Sequence, residues 1–219
     1  MRSDSEIQHA VLRELEWDSR VDHTDIGVTV RAGVVTLAGN VDSWAKRVAA
    51  EQAAHRVADV LDVANDVHVT SPGVGARTDS DIAHAVRQAL EWNAFIPAEK
   101  IRSTVSDGRV TLAGEVDSLT HRDDAERVIQ HLTGVRMVEN TIVVKSPKNV
   151  HSSDIQKSIH DALERRSARE SERLKVEVTD GTVTLSGVVH TWAERKAAVG
   201  AARGTPGVRS VQDQLRIEP

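Results

Sequence analysis

A nine-residue pattern, G-x-V-T-L-[AS]-G-x-V, occurs three times in this chain and constrains its fold more than any other feature. The copies begin at Gly33, Gly108 and Gly181, so they lie 75 and 73 residues apart. A repeat of this length is a whole small domain rather than a solenoid unit. The sequence therefore predicts three tandem modules. Modules 1, 2 and 3 are residues 1–72, 76–146 and 149–219.

Each module opens with a pattern that predicts an amphipathic helix. Polar residues that favour helix N-caps come first. Apolar residues then recur at positions i, i+4 and i+8, which lie on one face of a helix. The expected caps are Ser3-Asp4-Ser5, Thr78-Asp79-Ser80 and Ser152-Ser153. The apolar residues are Ile7, Val11 and Leu15, then Ile82, Val86 and Leu90, then Ile155, Ile159 and Leu163.

Two alternating apolar runs follow, and they predict a β-hairpin. They are joined by Ala-Gly in module 1 and by Asp-Gly in the other two, and a type I′ turn needs positive φ at both positions. A two-residue loop makes Val28 face Leu37 and Ile26 face Gly39. The second glycine thus lies on the apolar face, where a missing side chain indicates a closely packed helix or a bulge. The glycines with a structural role are Gly33, Gly39, Gly108, Gly114, Gly181 and Gly187.

A second helix and a third strand complete each module. Ser43, Ser118 and Thr191 are expected N-caps, and Thr191 is expected to form a capping box with Glu194. The buried face of this helix is rich in alanine, which allows close packing on a sheet. The run V-x-x-V-x-[ND]-x-[LIV]-x-[VI] then predicts a strand reached by a crossover. The predicted fold class is α+β, with αββαβ modules that each have a three-stranded mixed sheet and two helices packed on one face.

Composition excludes several classes of function. The chain has no cysteine, so disulfide and thiolate chemistry are excluded. The net charge is −5, divided as −5, −2 and +2 over residues 1–72, 73–147 and 148–219, so no module has the strongly basic face of a nucleic-acid-binding protein. No transmembrane segment is expected, since no apolar run is long enough. The first residues lack the apolar run of a signal peptide, which predicts a cytoplasmic location.

The two spaced motifs, in this order and in three copies, resemble the BON domain family. The resemblance covers nearly the whole chain and implies an αββαβ fold and a bacterial source. It also implies a non-enzymatic role in osmotic or other stress protection, usually at the cell envelope, with phospholipid binding proposed for some members. A periplasmic location is the alternative that the family suggests. The glycines and valines of the motifs are structural, so the resemblance implies no catalytic residue.

The residues themselves do not indicate catalysis, a metal or a cofactor. Ten histidines are present, but only His9 and His84 occupy equivalent positions, and no H-E-x-x-H motif occurs. No nucleophile elbow, P-loop or Rossmann pattern is present. Gly204-Thr205-Pro206-Gly207 fits the GXXG loop of nucleic-acid-binding KH domains, but it lies between a helix and a strand, so a turn is the better interpretation.

Two groups of residues are candidate contacts with a partner. Trp17 and Trp92 are equivalent residues at the end of the first helix and would suit a membrane interface if exposed. Packing against the edge of a module is the favoured interpretation, because tryptophan is usually buried to a large extent. Module 3 has a basic run instead, which is a candidate contact for anionic lipid or phosphate. Its residues are Arg165, Arg166, Arg169, Arg173 and Lys175.

The sequence thus favours a non-catalytic, stress-associated protein that binds anionic phospholipid or protein surfaces through its modules. A chaperone-like or scaffold protein that does not bind lipid is the alternative, and it would use the small, uncharged outer faces of the sheets. Exposure of these faces separates the two hypotheses. The residues to inspect are Thr36, Ala38, Thr111 and Ala113.

Overall fold

A computed structural model describes residues 2–70, 77–145, 150–165 and 173–218. The chain divides into two compact units. The first comprises residues 1–94, 103–112 and 126–140. The second comprises residues 95–102, 113–125 and 141–219.

Module 1 has the predicted αββαβ order. Its elements are α1 (Asp4–Trp17), β1 (Ile26–Arg31), β2 (Val34–Val41), α2 (Trp44–His55) and β3 (Asp62–Val69). Strand β2 is central, antiparallel to β1 and parallel to β3. Helix α1 packs on β1 and on α2, and α2 packs on β2 and β3. Inward positions of the strands and the alanines of α2 form the core. The α+β fold class is confirmed.

Modules 2 and 3 repeat this order with one difference. Module 2 contains α3 (Asp79–Trp92), β4 (Ile101–Ser106), β5 (Arg109–Val116), α4 (Leu119–Ile129), β6 (Met137–Asn140) and β7 (Val143–Val144). Module 3 contains α5 (Ser152–Glu164), β8 (Leu174–Thr179), β9 (Thr182–Val189), α6 (Trp192–Arg203) and β10 (Ser210–Ile217). The third strand of module 2 is two segments, because its pairing with β5 stops at Asn140 and resumes at Val143.

The hairpin turns have the predicted geometry. Ala32 has φ of 49° and Gly33 has φ of 77°, and the Asp-Gly pairs of the other modules match them closely. The predicted register is confirmed, with Ile26 opposite Gly39 and Val28 opposite Leu37. Positive φ at both central residues is what type I′ turns require, so the dipeptides specify the register of each hairpin.

An aspartate at the start of the first helix holds the hairpin turn in modules 1 and 2. The Asp4 carboxylate accepts hydrogen bonds from the backbone N–H groups of Ala32 at 2.8 Å and Gly33 at 3.0 Å. Asp79 accepts in the same way from residues 107 and 108 of module 2. Ser152 occupies the equivalent position in module 3. Aspartate recurs at this position in modules 1 and 2, and this recurrence is the sequence signal for the contact. The signal is not visible when each helix is considered alone.

The reason for the second glycine differs from the prediction. The atoms nearest to a Cβ at this position belong to the backbone around the start of β1, not to a helix. A Cβ built on Gly39 would lie 1.9 Å from the carbonyl oxygen of Asp25, the residue just before β1. Gly114 meets the carbonyl of Lys100 at 2.1 Å, and Gly39 and Gly114 have φ of +147° and +145°. The glycine is therefore required twice, by close backbone approach and by positive φ.

The predicted helix caps are partly confirmed. Ser3 forms a capping box with Glu6, and Thr78 forms one with Asp81. In module 3 the prediction is wrong, since His151 is the N-cap and its side chain makes no capping bond. Thr191 caps α6, but the Glu194 carboxylate accepts from the backbone N–H of His190 rather than from that of Thr191.

A polar link joins the third strand to the second helix in each module. Asn65 Nδ2 donates to the Glu51 carboxylate at 3.0 Å in module 1, and Asn140 donates to Glu126 at 3.1 Å in module 2. In module 3 the strand residue is Asp213, which accepts from Arg195 Nε at 2.7 Å. The equivalent of Glu51 there is Val199. The same position thus serves as donor in two modules and as acceptor in the third.

Candidate functional site

The first helices of modules 1 and 2 end in exposed tryptophans. Trp17 is 84% exposed and Trp92 is 79% exposed. Each lies two residues beyond a buried leucine, about 200° further around the helix, so it points away from the core. The edge-packing interpretation of these residues is therefore wrong. We call Leu15–Trp17 and Leu90–Trp92 the tryptophan tips.

An ionic cluster fixes the chain beside Trp17. Asp18 accepts from Arg20 at 2.9 and 2.7 Å and from Arg56 at 2.8 Å, and Arg56 also donates to Glu14 at 2.6 Å. The Asp18 side chain is only 7% exposed. Hydrogen bonds from Arg20 first, and then from Arg56, hold the pKa of Asp18 well below its ordinary value, although burial acts in the opposite direction. The cluster ties the end of α1 to the end of α2.

Carboxylates accompany both tryptophan tips. Glu16 and Glu91, the residues before the tryptophans, are exposed. Arg87 approaches Glu91 at 3.9 Å, a pair with both side chains largely in solvent. The last turns of α1 and α3 contain no basic residue. The partial negative charge of the helix C-terminus is therefore not offset within those turns.

The other two tryptophans have a different environment. Trp44 and Trp192, at the start of α2 and α6, are half-buried. The guanidinium of Arg47 lies 5.0 Å from the Trp44 ring centroid, and that of Arg195 lies 4.6 Å from Trp192. These distances are typical of cation–π contacts. Each of these tryptophans thus contacts an arginine of its own second helix.

The basic run of module 3 is only partly described. Arg165, Arg173 and Lys175 are exposed. Arg173 contacts the His190 ring, and Lys175 pairs with Glu177 at 2.6 Å. Arg166 and Arg169 lie outside the described residues. Contact of these five residues with anionic lipid or phosphate stays a prediction.

The outer sheet faces of modules 1 and 2 are accessible. Ala38 and Ala113 are exposed, and Thr36 and Thr111 are half-buried. In module 1 the neighbours of Ala38 across the sheet are Gly27 and Asp66, and those of Thr36 are Thr29 and Ala64, so this face is mostly small but carries one carboxylate. Because these faces are accessible, they are a second candidate surface, and it is the surface that the scaffold hypothesis requires.

Two cavities lie among the described residues, and neither resembles an active site. A cavity of about 20 Å³ lies beneath the end of β9 in module 3, which is room for about one water. A wide depression runs along α3, but the ionisable residues that line it lie on or beside one helix, and the Asp81 carboxylate already accepts a hydrogen bond from the N-cap residue Thr78. Among the described residues, no group of three or more His, Asp or Glu is arranged to hold a metal ion. None of the described helices is both long and apolar enough to cross a bilayer.

Comparison with known proteins agrees with the repeated fold. Osmotically-inducible protein Y of Escherichia coli (strain K12) is 30% identical over 146 residues, which are 65% of this chain and 73% of that protein. An uncharacterized protein from the gshII 5′ region of Anaplasma centrale is 29% identical over 145 residues, which are 64% of this chain and 95% of that protein.

One solved structure was also compared. CdsD, a structural protein of the type III secretion system of Chlamydia trachomatis, has a TM-score of 0.28 and 14% identity, over 98% of this chain and 93% of that chain. That similarity is too low to support an inference.

The family assignment rests on the whole repeat. The BON domain family matches residues 3–71, 78–146 and 151–219, which contain the three αββαβ units described above. Each match includes both glycines of the pattern and the polar link. The chain therefore belongs to the BON domain family and carries three copies of its domain.

Proposed function

We propose that this chain is a non-catalytic, osmotic-stress-associated protein that binds phospholipid surfaces through its tryptophan tips. The observation that supports this is the exposure of Trp17 and Trp92 at equivalent positions in two modules. The role in osmotic stress is suggested by the similarity to osmotically-inducible protein Y. Absence of catalysis is suggested by the cavities and by the family.

Exposed tryptophan suits the boundary between lipid and water. The indole ring is apolar but carries one N–H donor. It is therefore favoured at an interface where the ring contacts hydrocarbon and the N–H group contacts water. Full burial of a large apolar side chain contributes about 1.5–3 kcal/mol. Insertion of either tip thus contributes to binding, and the two contributions add where both tips reach the surface.

The double variant W17A/W92A tests this proposal. Its partitioning into phosphatidylcholine vesicles, measured by flotation of the full chain, is expected to fall at least about tenfold, because each alanine removes most of the buried apolar area. The matched control is the half-buried pair at the start of α2 and α6. W44F/W192F keeps an aromatic ring there and is expected to retain binding. Equal binding by wild type and W17A/W92A contradicts the proposal.

A second candidate function is a chaperone-like interaction through the outer sheet faces. It is favoured by the accessibility of Ala38 and Ala113. If this candidate is correct, the chain suppresses aggregation of reduced, denatured lysozyme, and A38K/A113K abolishes that protection because two long, charged side chains cover the small residues of these faces. In that case W17A/W92A protects as well as wild type does. Light scattering distinguishes these outcomes from vesicle binding.

A further inference from the structure

Each compact unit contains one contact between neighbouring modules. In the first unit, the backbone N–H of Trp44 at the start of α2 donates to the carbonyl oxygen of Val135, in the loop after α4, at 3.2 Å. In the second unit, the guanidinium of Arg203 at the end of α6 donates to both carboxylate oxygens of Asp123, near the start of α4, at 2.8 and 2.9 Å. Each contact thus involves the second helix of both modules.

Both contacts use the same two surfaces of the repeated module. One is the start of the second helix, which we call the head, and the other is the end of that helix with the following loop, which we call the tail. The heads are residues 44–49, 119–124 and 192–197, and the tails are residues 55–60, 130–135 and 203–208. Trp44 and Asp123 belong to heads, whereas Val135 and Arg203 belong to tails. The head of one module therefore contacts the tail of the next module in both cases.

The head of module 3 and the tail of module 1 take part in neither contact. The head of module 3 is also more exposed than that of module 1. Ala193 is exposed, whereas its equivalent Ala45 is half-buried. Ala197 is half-buried, whereas its equivalent Ala49 is only 4% exposed. The head that precedes another module is thus covered, and the last head of the chain is accessible.

We propose that the head of module 3 binds the tail of module 1 of a second copy of this chain. This contact continues the one that the modules already make within a chain, where a head meets a tail of the same fold. Opposite net charges also favour it, since residues 148–219 carry +2 and residues 1–72 carry −5. The interface joins two different surfaces of identical chains, so it repeats into a ring or an open chain of copies. The inference does not depend on the tryptophan tips.

Two residues define this contact by equivalence with the pair observed between modules 2 and 3. Lys196 is the equivalent of Asp123, and His55 is the equivalent of Arg203. Glu51 lies one turn before His55, with its carboxylate 4.0 Å from the imidazole and its side chain 42% exposed. A lysine that approaches this tail therefore meets a carboxylate, which is a favourable pairing for an exposed cation.

The double variant H55R/K196D tests the proposal by transferring the Asp123–Arg203 pair to the two ends of the chain. Arginine is the natural residue at this position in module 3, so the fold accommodates it. Sedimentation velocity of the full chain measures self-association at concentrations up to about 1 mM. We expect wild type to form species larger than a monomer over this range. H55R/K196D is expected to associate about tenfold more tightly, because an arginine and a carboxylate form two parallel hydrogen bonds.

The single variants are expected to have the opposite effect. H55R brings an arginine against Lys196, and K196D brings a carboxylate against Glu51, so each is expected to weaken association at least about threefold. A mixture of the two variants is expected to recover it, because the K196D head of one chain then meets the H55R tail of another. Failure of the mixture to recover association overturns the inference.

A matched control separates this interface from overall charge. H68R/K157D makes the same two changes of charge at exposed residues of β3 and α5, outside the heads and tails. It is expected to change self-association less than about twofold. Equal tightening by H68R/K157D and H55R/K196D overturns the inference, as does a wild type that stays monomeric at every concentration. W17A/W92A is expected to associate as wild type does, which distinguishes failure of this inference from failure of the proposed function.

Discussion

Gly187→Ala is expected to lower the free energy of unfolding of module 3 by at least about 3 kcal/mol. The added Cβ would lie 2.2 Å from the carbonyl oxygen of Arg173, and the residue has φ of +128°. The neighbouring group is backbone of the chain entering β8, so it cannot move aside without breaking the hairpin pairing. Hydrogen exchange of the β8 and β9 amides measures the effect in this module alone.

Gly200→Ala is the control within the same module. Nothing lies within 4 Å of a Cβ at Gly200, which is in the last turn of α6. Alanine there is expected to stabilise the helix by about 0.5–1 kcal/mol, since glycine loses more backbone entropy on folding. If the two substitutions have similar effects, the close backbone approach is not the reason for the glycine.

Asp18→Asn is expected to destabilise module 1 by about 2 kcal/mol. The carboxylate is nearly buried and accepts charge-assisted hydrogen bonds from Arg20 and Arg56. Asparagine removes the charge and leaves both guanidinium groups with a weaker acceptor. The partial exposure of the arginines keeps the effect below that of a fully buried pair. Urea unfolding of wild type and variant at neutral pH measures the difference.

The same substitution is expected to alter the pH dependence of stability. The pKa of Asp18 is lowered in the folded state, mainly by Arg20. A carboxyl with a lowered pKa adds stability above its unfolded pKa, about 3.9, and this is lost as the pH falls through the range below it. Asp18→Asn thus removes part of the acid destabilisation. Glu16→Gln, an exposed neighbour, is the control, and an unchanged acid profile in Asp18→Asn would refute the assignment.

The fold was predictable because its signals are local and occur three times. The Asp-Gly and Ala-Gly turns specify the hairpin register, and the spacing of Ile7, Val11 and Leu15 specifies the buried face of the first helix. Apolar residues also alternate along the strands. Only one arrangement of the helices and strands then buries the apolar face of each element. The αββαβ order follows from these patterns without any contact between distant residues.

The details that escaped prediction have separate reasons. The carbonyl that excludes a side chain at Gly39 belongs to Asp25, and Asp25 is in neither of the two repeated motifs. The exposure of Trp17 depends on the direction of its side chain relative to Leu15, and average burial of tryptophan was a poorer guide than this helical geometry. The interruption after Asn140 likewise has no counterpart in modules 1 and 3.

The polar link between the third strand and the second helix has a consequence for how the copies diverged. Changing Asn65 to aspartate alone would place two carboxylates together, because Glu51 is its partner. Changing Glu51 to valine alone leaves a neutral amide, which also remains bonded to the carbonyl of Arg47. If the Glu–Asn pair is converted into the Val–Asp pair of module 3 one substitution at a time, the favoured intermediate is therefore Val–Asn. The same intermediate is favoured for the reverse change. The two positions are therefore expected to be energetically coupled, so that exchanging single residues between copies is not neutral.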